Sequence, residues 1–394
     1  MDTSPLAQSP IGMLVPISGH DPRRQIDFNA LAYLPYALPE TLSLSAQTYR
    51  AITKAMSSIA RADQAMRQLP NPELLTRLVI RKEAVSTSAI EGTYCNMEEL
   101  LQADFEEAAD VKPAVAEVQN YVTAAEDAAD WIKRKRPISV GLLEHLQGTL
   151  VAGTESDTVQ AGSVRTTQVF IHVSDGKIEN ARFIPCPPGL QLKDGMLAWE
   201  GWVNQADEEI PLLARLAMGH YQFETLHPFN DGNGRLGRMV MLLQLLAAGE
   251  LQLPSIALSP WLEANRNRYT EHLFRVSVTG DFEPWIQFIC DGIAAQAVSA
   301  VKRVEDLVTI RDAMLSNLHE TKAKGTSLEI ARELIGYPML TARAMETRHG
   351  VSYQAANLAI RKLVELGFLR QFSEGNYGRI FICDEVFKVL IRPL

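Results

Sequence analysis

Twelve residues near the middle of the chain, HPFNDGNGRLGR at positions 227–238, combine residue types that handle phosphate groups. Gly232 and Gly234 let the backbone come close to a ligand, and a glycine-rich turn leading into a helix points its amides at one place. The helix dipole favours negative charge there, and Arg235 and Arg238 can add charge-assisted donors. The segment therefore predicts a phosphate-binding loop.

Two further side chains of this segment can take part in chemistry. His227 can accept a proton near neutral pH, and Asp231 is a hard oxygen ligand suited to a Mg²⁺ ion that also binds substrate phosphates. Together with the loop they could deprotonate a hydroxyl and stabilise the charge that develops on a phosphoryl group. Phosphoryl and nucleotidyl transfer require this combination.

Taken singly, the same residues also have a structural interpretation. A lone His-Pro before a helix, or a lone glycine turn, is more often structural than catalytic. Here five functional residue types fall within twelve positions ahead of an apolar helix, which favours a site. The sequence lacks the GxxxxGK[ST] pattern, which argues against an ordinary P-loop NTPase.

Helical patterns flank the loop and predict how it is held. Residues 211–226 read as a helix that starts at Pro211 and stops before His227, and residues 235–248 are apolar nearly all round. A helix, a loop and a central buried helix therefore follow one another. Upstream, residues 72–92 predict a helix that places Thr87 and Glu91 one turn apart.

Two other segments depart from the helical pattern. Residues 165–188 alternate apolar and polar positions around an Asp175-Gly176 turn signal, which predicts a single β-hairpin inside a helical domain. Residues 1–40 are rich in proline, which predicts an extended arm with short turns.

Composition limits the class of protein. With 394 residues, 46% of them hydrophobic and 22% charged, the chain has the size of two or three folded domains. A net charge of −9 argues against nucleic-acid binding over the whole surface. Four widely spaced cysteines suggest packed, reduced thiols, and no leader or long apolar run is present, so we expect a cytoplasmic protein with no membrane partner.

The quoted loop resembles the signature of the Fic family, HPFx[D/E]GNGRxxR, at every fixed position from His227 to Arg238. The hairpin over residues 165–188 is similar to the Fic flap. The segment RKEAVSTSAIEGT is similar to the [S/T]xxxE[G/N] inhibitory helix, with Thr87, Glu91 and Gly92 matching. The resemblance covers roughly residues 30–310 and places the inhibitory helix upstream of the core.

The resemblance implies a protein adenylyltransferase that moves AMP from ATP to a Ser, Thr or Tyr hydroxyl of a protein target, or of itself, and releases pyrophosphate. His227 would be the general base and Asp231 the Mg²⁺ ligand. The nucleotide-binding residues would be Gly232, Asn233, Gly234, Arg235 and Arg238. The flap would align the target by main-chain pairing, and Phe229 would be a core residue.

The resemblance also gives Glu91 an inhibitory function. A carboxylate paired with Arg238 would occupy the position of the γ-phosphate, so that the α-phosphorus is not in line for attack. The alternative is that Glu91 only ends a helix and forms a weak surface ion pair.

Residues 325–394 carry nine Lys/Arg and seven Asp/Glu, a mild net charge of +2. Their pattern of three helices and two strands resembles a winged helix, with Ser352 as N-cap and Gly367 as C-terminal stop of the third helix, the recognition helix of such a fold. The positions predicted to face inward on that helix are Ala356, Ile360 and Leu363. The polar positions on another face are Gln354, Asn357 and Arg361. These could contact DNA, or the segment could bind a protein or form a homodimer.

The predicted fold is mainly α: a Fic-type helical bundle core with one β-hairpin flap, plus a C-terminal winged helix. The predicted chain has three parts: an N-terminal arm and helical region over residues 1–112 that carries the inhibitory helix, the catalytic core over residues 113–318, and the C-terminal module over residues 325–394. Two alternatives remain open. The chain could be a DNA-binding regulator with a nucleotide-sensing or inactive Fic site. It could also use another donor, transferring UMP, phosphocholine or phosphate, or remove AMP.

Overall fold

The structure, a computed structural model, describes residues 5–21, 26–67, 69, 71–106, 110–173, 178, 181–205, 209–373 and 378–392. The first elements are β1 (Gly12–Asp21), β2 (Ile26–Pro35), α1 (Ala46–Arg67), α2 (Glu73–Glu91), α3 (Met97–Gln102) and a 3-10 turn over Ala103–Phe105. The central elements are α4 (Pro113–Lys133), α5 (Val140–Val151), β3 (Ile171–Val173), β4 (Ala181–Phe183), α6 (Leu190–Asn204), α7 (Leu212–Leu226) and α8 (Asn233–Ala247).

The remaining elements complete a mainly helical fold, as expected. They are α9 (Ser259–Ala264), α10 (Arg266–Thr279), α11 (Glu283–Glu320), α12 (Thr326–Glu333), β5 (Met339–Thr341), α13 (Ala342–His349), α14 (Tyr353–Glu365), β6 (Arg370–Gln371), β7 (Ile380–Ile382) and α15 (Asp384–Ile391). In the described part of the chain, no helix combines the length and the apolar character needed to cross a bilayer.

The helices that flank the signature loop lie where the sequence predicts them. Helix α7 ends at Leu226 and α8 begins at Asn233. Helix α8 is buried on nearly every face, because Leu236 and Leu243 pack into one hydrophobic cluster while Met241 and Leu245 pack into another. The loop between these helices is therefore anchored at both ends in the core.

The prediction of an extended N-terminal arm is wrong, because β1 and β2 form an antiparallel hairpin with Gly12 opposite Pro35. Prolines suggested an irregular segment, yet Pro16 lies inside β1 opposite Leu31. A two-stranded sheet has only edge strands, so a residue without an N–H is tolerated there. Apolar residues at alternate positions, such as Val15 and Ile17, pack against a small cluster beside β4.

The predicted hairpin over residues 165–188 is present as the antiparallel pair β3 and β4, with Ile171 opposite Phe183. Its expected turn at Asp175-Gly176 lies outside the described residues. The N-terminal hairpin joins it, since the Tyr33 N–H donates to the Ile184 carbonyl over 2.8 Å. The expectation of a single hairpin is thus corrected to two hairpins side by side.

The last part of the chain contains the three predicted helices α12, α13 and α14 and two predicted strands. It has in addition a strand β5, which pairs with β7 in a sheet of order β5-β7-β6, and a final helix α15. The Ser352 hydroxyl caps α14 by accepting from the Ala355 N–H, and Gly367 follows the helix in the left-handed conformation. Ala356, Ile360 and Leu363, which were predicted to face inward on α14, are buried.

This C-terminal part packs against the N-terminal half of α2 in one hydrophobic cluster, which includes Leu75 and Leu78. The approach is close at Gly336, where an added Cβ would lie 2.9 Å from the Leu74 Cα. The Arg77 guanidinium stacks on Tyr337 at 4.6 Å from the ring centroid. One helix, α2, therefore connects the C-terminal part with the region of the signature loop.

Candidate active site

The signature loop is shaped by two residues in the left-handed backbone conformation. His227 ends α7 with φ 51°, its N–H donating to the Phe223 carbonyl over 2.8 Å, and Gly232 precedes α8 with φ 84°. Phe229 between them is fully buried, as expected of a core residue. These turns bring the side chain of His227 and the first turn of α8 to the same cavity.

Asn233 holds the loop through its side chain. Its Oδ1 accepts from the Phe229 N–H over 2.8 Å, and its Nδ2 donates to the Phe229 carbonyl over 2.7 Å. Both ends of the amide are therefore used within the loop. In this arrangement only the backbone N–H of Asn233 is left to face a phosphate.

Arg238 meets α2 inside the protein. Its side chain is 1% exposed; Nε donates to the Thr87 hydroxyl over 2.7 Å, and Nη2 donates to the Thr87 carbonyl over 3.1 Å. Nη2 also donates to Glu91 Oε1 over 2.6 Å. The residues singled out on α2 and the last arginine of the signature thus lie in direct contact, and the pair does not lie on the open surface.

Glu91 keeps one side open to the cavity, with 38% of its side chain exposed. Burial raises the pKa of this carboxyl, but the Arg238 guanidinium outweighs burial and holds the pKa below its usual range. Gly92 ends α2 in the left-handed conformation, with its N–H bonded to the Ala89 carbonyl over 3.1 Å. Helix α2 therefore stops just as its carboxylate reaches the loop.

Arg235 lies apart from Arg238. Its buried guanidinium donates to the Glu117 carboxylate on α4 and lies 3.3 Å from Asp231 Oδ2. It does not line the cavity that holds His227 and Arg238. Here the structure separates two arginines that the sequence grouped together.

Asp231 is the most open of the candidate residues in the loop, with a side chain 44% exposed. Its Oδ1 accepts from the Gly232 N–H over 2.7 Å. The carboxylate oxygens of Asp231 keep further lone pairs that can bind a cation. Among the described residues, no three His, Cys, Asp or Glu side chains converge as metal ligands. The donor set fits an ion such as Mg²⁺ that takes most of its ligands from substrate phosphates and water.

The imidazole of His227 is neutral at neutral pH. Burial, with the nearby Arg165, lowers the pKa of its imidazole to about 4. Nδ1 lies 3.3 Å from the Glu224 carbonyl, a contact in which a protonated Nδ1 would donate. The other ring nitrogen, Nε2, is then the proton acceptor.

Arg165 is an important residue that sequence reasoning missed. It is 1% exposed and ties the flap to the loop: Nε donates to the His227 carbonyl over 2.7 Å, and Nη1 donates to the Thr167 carbonyl over 2.8 Å. Nη2 donates to the Cys186 carbonyl. Burial lowers the pKa of Arg165 to about 10. No local sequence signal distinguishes this arginine from one on the surface.

Glu224 is the second residue that was missed. It lies one turn before His227 on α7, and burial raises the pKa of its carboxyl to about 8. The spacing of three residues from His227 was a usable signal, because it places Glu224 on the last turn of α7, directly before the loop that carries His227.

The cavity itself has a volume of about 150 Å³. Its polar end is lined by Glu91, Glu224, His227, Gly234 and Arg238. Its apolar side is lined by flap and α10 residues, including Ile171, Phe183, Leu273 and Phe274. Such a cavity can accept a ligand with an anionic end and an apolar end.

Two family models match the chain over the elements that build this site. Residues 49–130 match the model described as Fic/DOC family N-terminal, and residues 137–245 match Fic/DOC family. The chain contains Fic/DOC family domains. The Fic/DOC domain therefore carries the signature loop, and the N-terminal domain carries α2 with Glu91.

Several curated relatives of these Fic/DOC domains are named protein adenylyltransferases. The mosquito Culex quinquefasciatus protein adenylyltransferase Fic is 34% identical over 136 residues, 34% of this chain and 24% of that protein. The Caenorhabditis elegans fic-1 is 31% identical over 138 residues, 34% of this chain and 23% of that protein. The Nematostella vectensis Fic is 29% identical over 202 residues, 46% of this chain and 43% of that protein. The chain spans less than half the length of these relatives.

Solved structures support the Fic fold. A Fic family protein from Desulfovibrio desulfuricans G20 superposes with a TM-score of 0.56 at 17% identity, covering 88% of this chain and 98% of the other. A Fic domain containing signaling protein from Bacteroides thetaiotaomicron gives 0.51 at 18% identity, covering 65% and 98%. At these identities the likeness shows the fold alone.

Proposed function

We propose that this protein is a Mg²⁺-dependent protein adenylyltransferase held in a weakly active state by Glu91. One observation carries the proposal: the neutral imidazole of His227, Gly234 at the start of α8 and the Arg238 guanidinium line one cavity. In that cavity Arg238 donates a hydrogen bond to the Glu91 carboxylate. Relatives named protein adenylyltransferases match the domains that build this cavity.

His227 acts as the general base in this proposal. The hydroxyl oxygen of the target attacks the α-phosphorus of ATP, the bond from that phosphorus to the bridging oxygen breaks, and pyrophosphate leaves. The hydroxyl proton passes to His227 Nε2. A pKa of about 4 keeps His227 unprotonated before the reaction, so the ring is available as an acceptor at neutral pH.

The start of α8 binds the polyphosphate. The amides that follow Gly232, including those of Asn233 and Gly234, lie at the positive end of the helix dipole. Asp231 would hold Mg²⁺, which when bound neutralises charge on the phosphates. Arg238 pairs with the terminal phosphate, whereas Arg235, bound to Glu117, acts mainly by orienting Asp231.

Glu91 inhibits by competing for Arg238. Its carboxylate takes the Nη2 donor and fills the space above Gly234 that a phosphate oxygen needs. ATP that enters must place its γ-phosphate elsewhere, and the α-phosphorus is then misaligned for attack. Thr87 supports this state by accepting from Arg238 Nε.

The flap and the remaining parts of the chain have proposed functions of their own. Strands β3 and β4 would align an extended target segment, or a segment of this protein, by main-chain pairing. We propose the division into residues 1–112, 113–318 and 325–394, with the last part a winged helix. Its partner is DNA, another protein or a second copy of the chain; gel shifts and the mass in solution separate these.

The test is transfer of label from [α-³²P]ATP to protein, with Mg²⁺ present. Glu91→Gly should raise labelling of itself or of lysate proteins at least about tenfold over the unchanged protein. Mass spectrometry of the product should show the mass of AMP on a hydroxyl side chain. Competition by unlabelled UTP or CDP-choline tests whether these molecules are the preferred donors. Replacing the α-labelled ATP by γ-labelled ATP tests whether a phosphate is transferred instead of AMP.

Two variants control this test. Glu263→Gln removes an exposed carboxylate outside the cavity and should leave labelling unchanged. Glu91→Gly/His227→Ala should lose transfer while it still binds ATP. Labelling that does not rise with Glu91→Gly, or that survives His227→Ala, refutes the proposal.

A further inference from the structure

Glu224 carries a carboxyl group that lines the cavity. It lies on the last turn of α7, three residues before His227, and its side chain is 14% exposed. Its Oε2 is 3.8 Å from His227 Nδ1. Its Oε1 is buried and has no hydrogen bond among the described residues.

Two groups of donors near Glu224 bond to other residues. His220 Nε2 lies 3.9 Å from Glu224 Oε1 but bonds to the Tyr269 hydroxyl at 2.7 Å. Arg238 donates to Thr87 and to Glu91. Burying a carboxyl without a hydrogen bond destabilises a fold, so packing does not explain why this residue is a glutamate.

We propose that Glu224 is a positioning residue for AMP transfer, whose carboxylate faces Nδ1 of His227 and stabilises the imidazolium that forms when Nε2 takes the hydroxyl proton. This inference rests on the proposed function. The proton moves from the target oxygen to Nε2, and Nδ1 keeps its own proton throughout. The charge on the imidazolium is balanced across 3.8 Å by the Glu224 carboxylate.

We expect the charge of Glu224 to change when Glu91 is removed. Burial raises the pKa of the Glu224 carboxyl to about 8; the Arg238 guanidinium opposes this rise and the Glu91 carboxylate adds to it, so Glu224 is largely protonated while Glu91 is present. Removing Glu91 takes away a negative charge and favours ionisation of Glu224. The charged or titratable groups that face Glu224 are Glu91 on α2, His220 on α7, His227 directly after α7, Arg238 on α8 and Tyr269 on α10.

Arg165 acts on His227 in the opposite direction. Its guanidinium lowers the pKa of the imidazole, in addition to the larger effect of burial. An imidazolium next to Arg165 therefore needs a compensating negative charge. Among the carboxylates that face the cavity, Glu224 lies on the last turn of α7, three residues before His227, and on the Nδ1 side of its ring.

The experiment compares Glu91→Gly with Glu91→Gly/Glu224→Gln in the full chain, measuring kcat and KM for ATP from pH 5 to pH 9. Glutamine keeps the shape and removes the charge. We expect kcat to fall about tenfold or more and KM for ATP to stay within about twofold. The acid limb of the pH profile, where kcat falls as the pH decreases, should move to lower pH by about 0.5 units or more. Loss of the carboxylate lowers the pKa of His227, so the base stays unprotonated to lower pH.

Glu91→Gly/Glu224→Asp, which keeps the charge, should restore part of the rate and move the acid limb back. Glu91→Gly/Glu263→Gln serves as the control for removing a carboxylate outside the cavity. An unchanged kcat and acid limb in the glutamine variant overturns the inference while the proposed function stands. If the glutamine variant does not fold, the aspartate variant becomes the test of the inference. An aspartate variant that folds but transfers no AMP overturns the inference. If Glu91→Gly itself transfers no AMP, both proposals fall together.

Discussion

The Glu91 carboxylate occupies the space that a side chain on residue 234 would need. A Cβ on Gly234 would lie 2.0 Å from Glu91 Oε1 and 2.9 Å from Arg238 Nη1. Real Cβ atoms do not approach other heavy atoms this closely. The glycine of the loop thus permits the contact between the α2 carboxylate and the α8 guanidinium.

The first prediction follows from this contact. Gly234→Ala should displace Glu91 from Arg238, yet it should not activate the protein as Glu91→Gly does, because the new methyl group also fills the place of a phosphate. In the Glu91→Gly background it should weaken ATP binding about tenfold or more, measured by titration calorimetry. Gly201→Ala on α6 is the control, since an added Cβ there meets nothing within 4 Å. Unchanged ATP affinity would contradict this use of Gly234.

The second prediction concerns Arg165, which donates to the His227 and Thr167 carbonyls from inside the protein. Lysine cannot reproduce this fork of donors, so Arg165→Lys should lower the free energy of unfolding by about 2–4 kcal/mol. It should also reduce transfer in the Glu91→Gly background, because the loop that holds His227 loses its tie to the flap. Urea denaturation and labelling measure the two effects.

Arg67→Lys is the matched control for that experiment. Arg67 pairs with Asp63 on the same helix and is half exposed, so its replacement should change stability by less than about 0.5 kcal/mol. Equal effects of the two substitutions would show that Arg165 has no special function in the loop.

The third prediction is an acid-dependent loss of stability caused by His227. Burial lowers the pKa of its imidazole from 6.5 to about 4. Below pH 6.5 the unfolded chain takes up a proton that the folded protein refuses, so stability falls as the pH decreases to about 4. The limiting slope is about 1.4 kcal/mol per pH unit. His227→Gln should therefore lose less Tm between pH 7 and pH 5 than the unchanged protein, and equal losses would contradict the assignment.

The fourth prediction has the opposite sign and concerns Glu224. Its pKa is about 8 in the folded protein against 4.5 for a free carboxyl. Between these values the unfolded chain releases a proton that the folded protein keeps, so stability is lost as the pH rises from about 4.5 to 8. Glu224→Gln should consequently raise Tm at pH 8 although it lowers transfer. A lower Tm at pH 8 would indicate that the carboxyl is needed for packing.

The fifth prediction tests the contact between the C-terminal part and α2. In Gly336→Ala the new Cβ would lie 2.5 Å from the Leu74 Cβ and 2.8 Å from the Leu74 carbonyl oxygen. We expect the free energy of unfolding to drop by about 1–3 kcal/mol. Because the same helix carries Glu91 at its other end, labelling by the otherwise unchanged protein should rise. Gly201→Ala should alter neither quantity, and unchanged labelling by Gly336→Ala would show that the displacement does not reach Glu91.

Local signals in the sequence predicted much of the secondary structure. Pro72 and Gly92 marked the ends of α2, and the helices on both sides of the signature loop were predicted to within two residues. The N-terminal hairpin was missed because its prolines point to irregular structure, whereas the pairing of Gly12 with Pro35 is a contact between distant residues. Strand β5 was missed for the same reason: three residues form a strand only because β7 lies beside them.

The sequence by itself determined the chemistry available in the loop, since the order of histidine, acid, glycines and arginines is a local property. Tertiary structure decided how each group is used. It turned Arg235 toward Glu117 and Arg238 toward Glu91, it closed the Asn233 amide on Phe229, and it brought Arg165 to the His227 carbonyl. Burial then lowered the pKa of the His227 imidazole and raised the pKa of the Glu224 carboxyl, so that both groups are mainly neutral at pH 7. These outcomes depend on which distant residues exclude water and supply charge around a group, and no spacing along the chain encodes that.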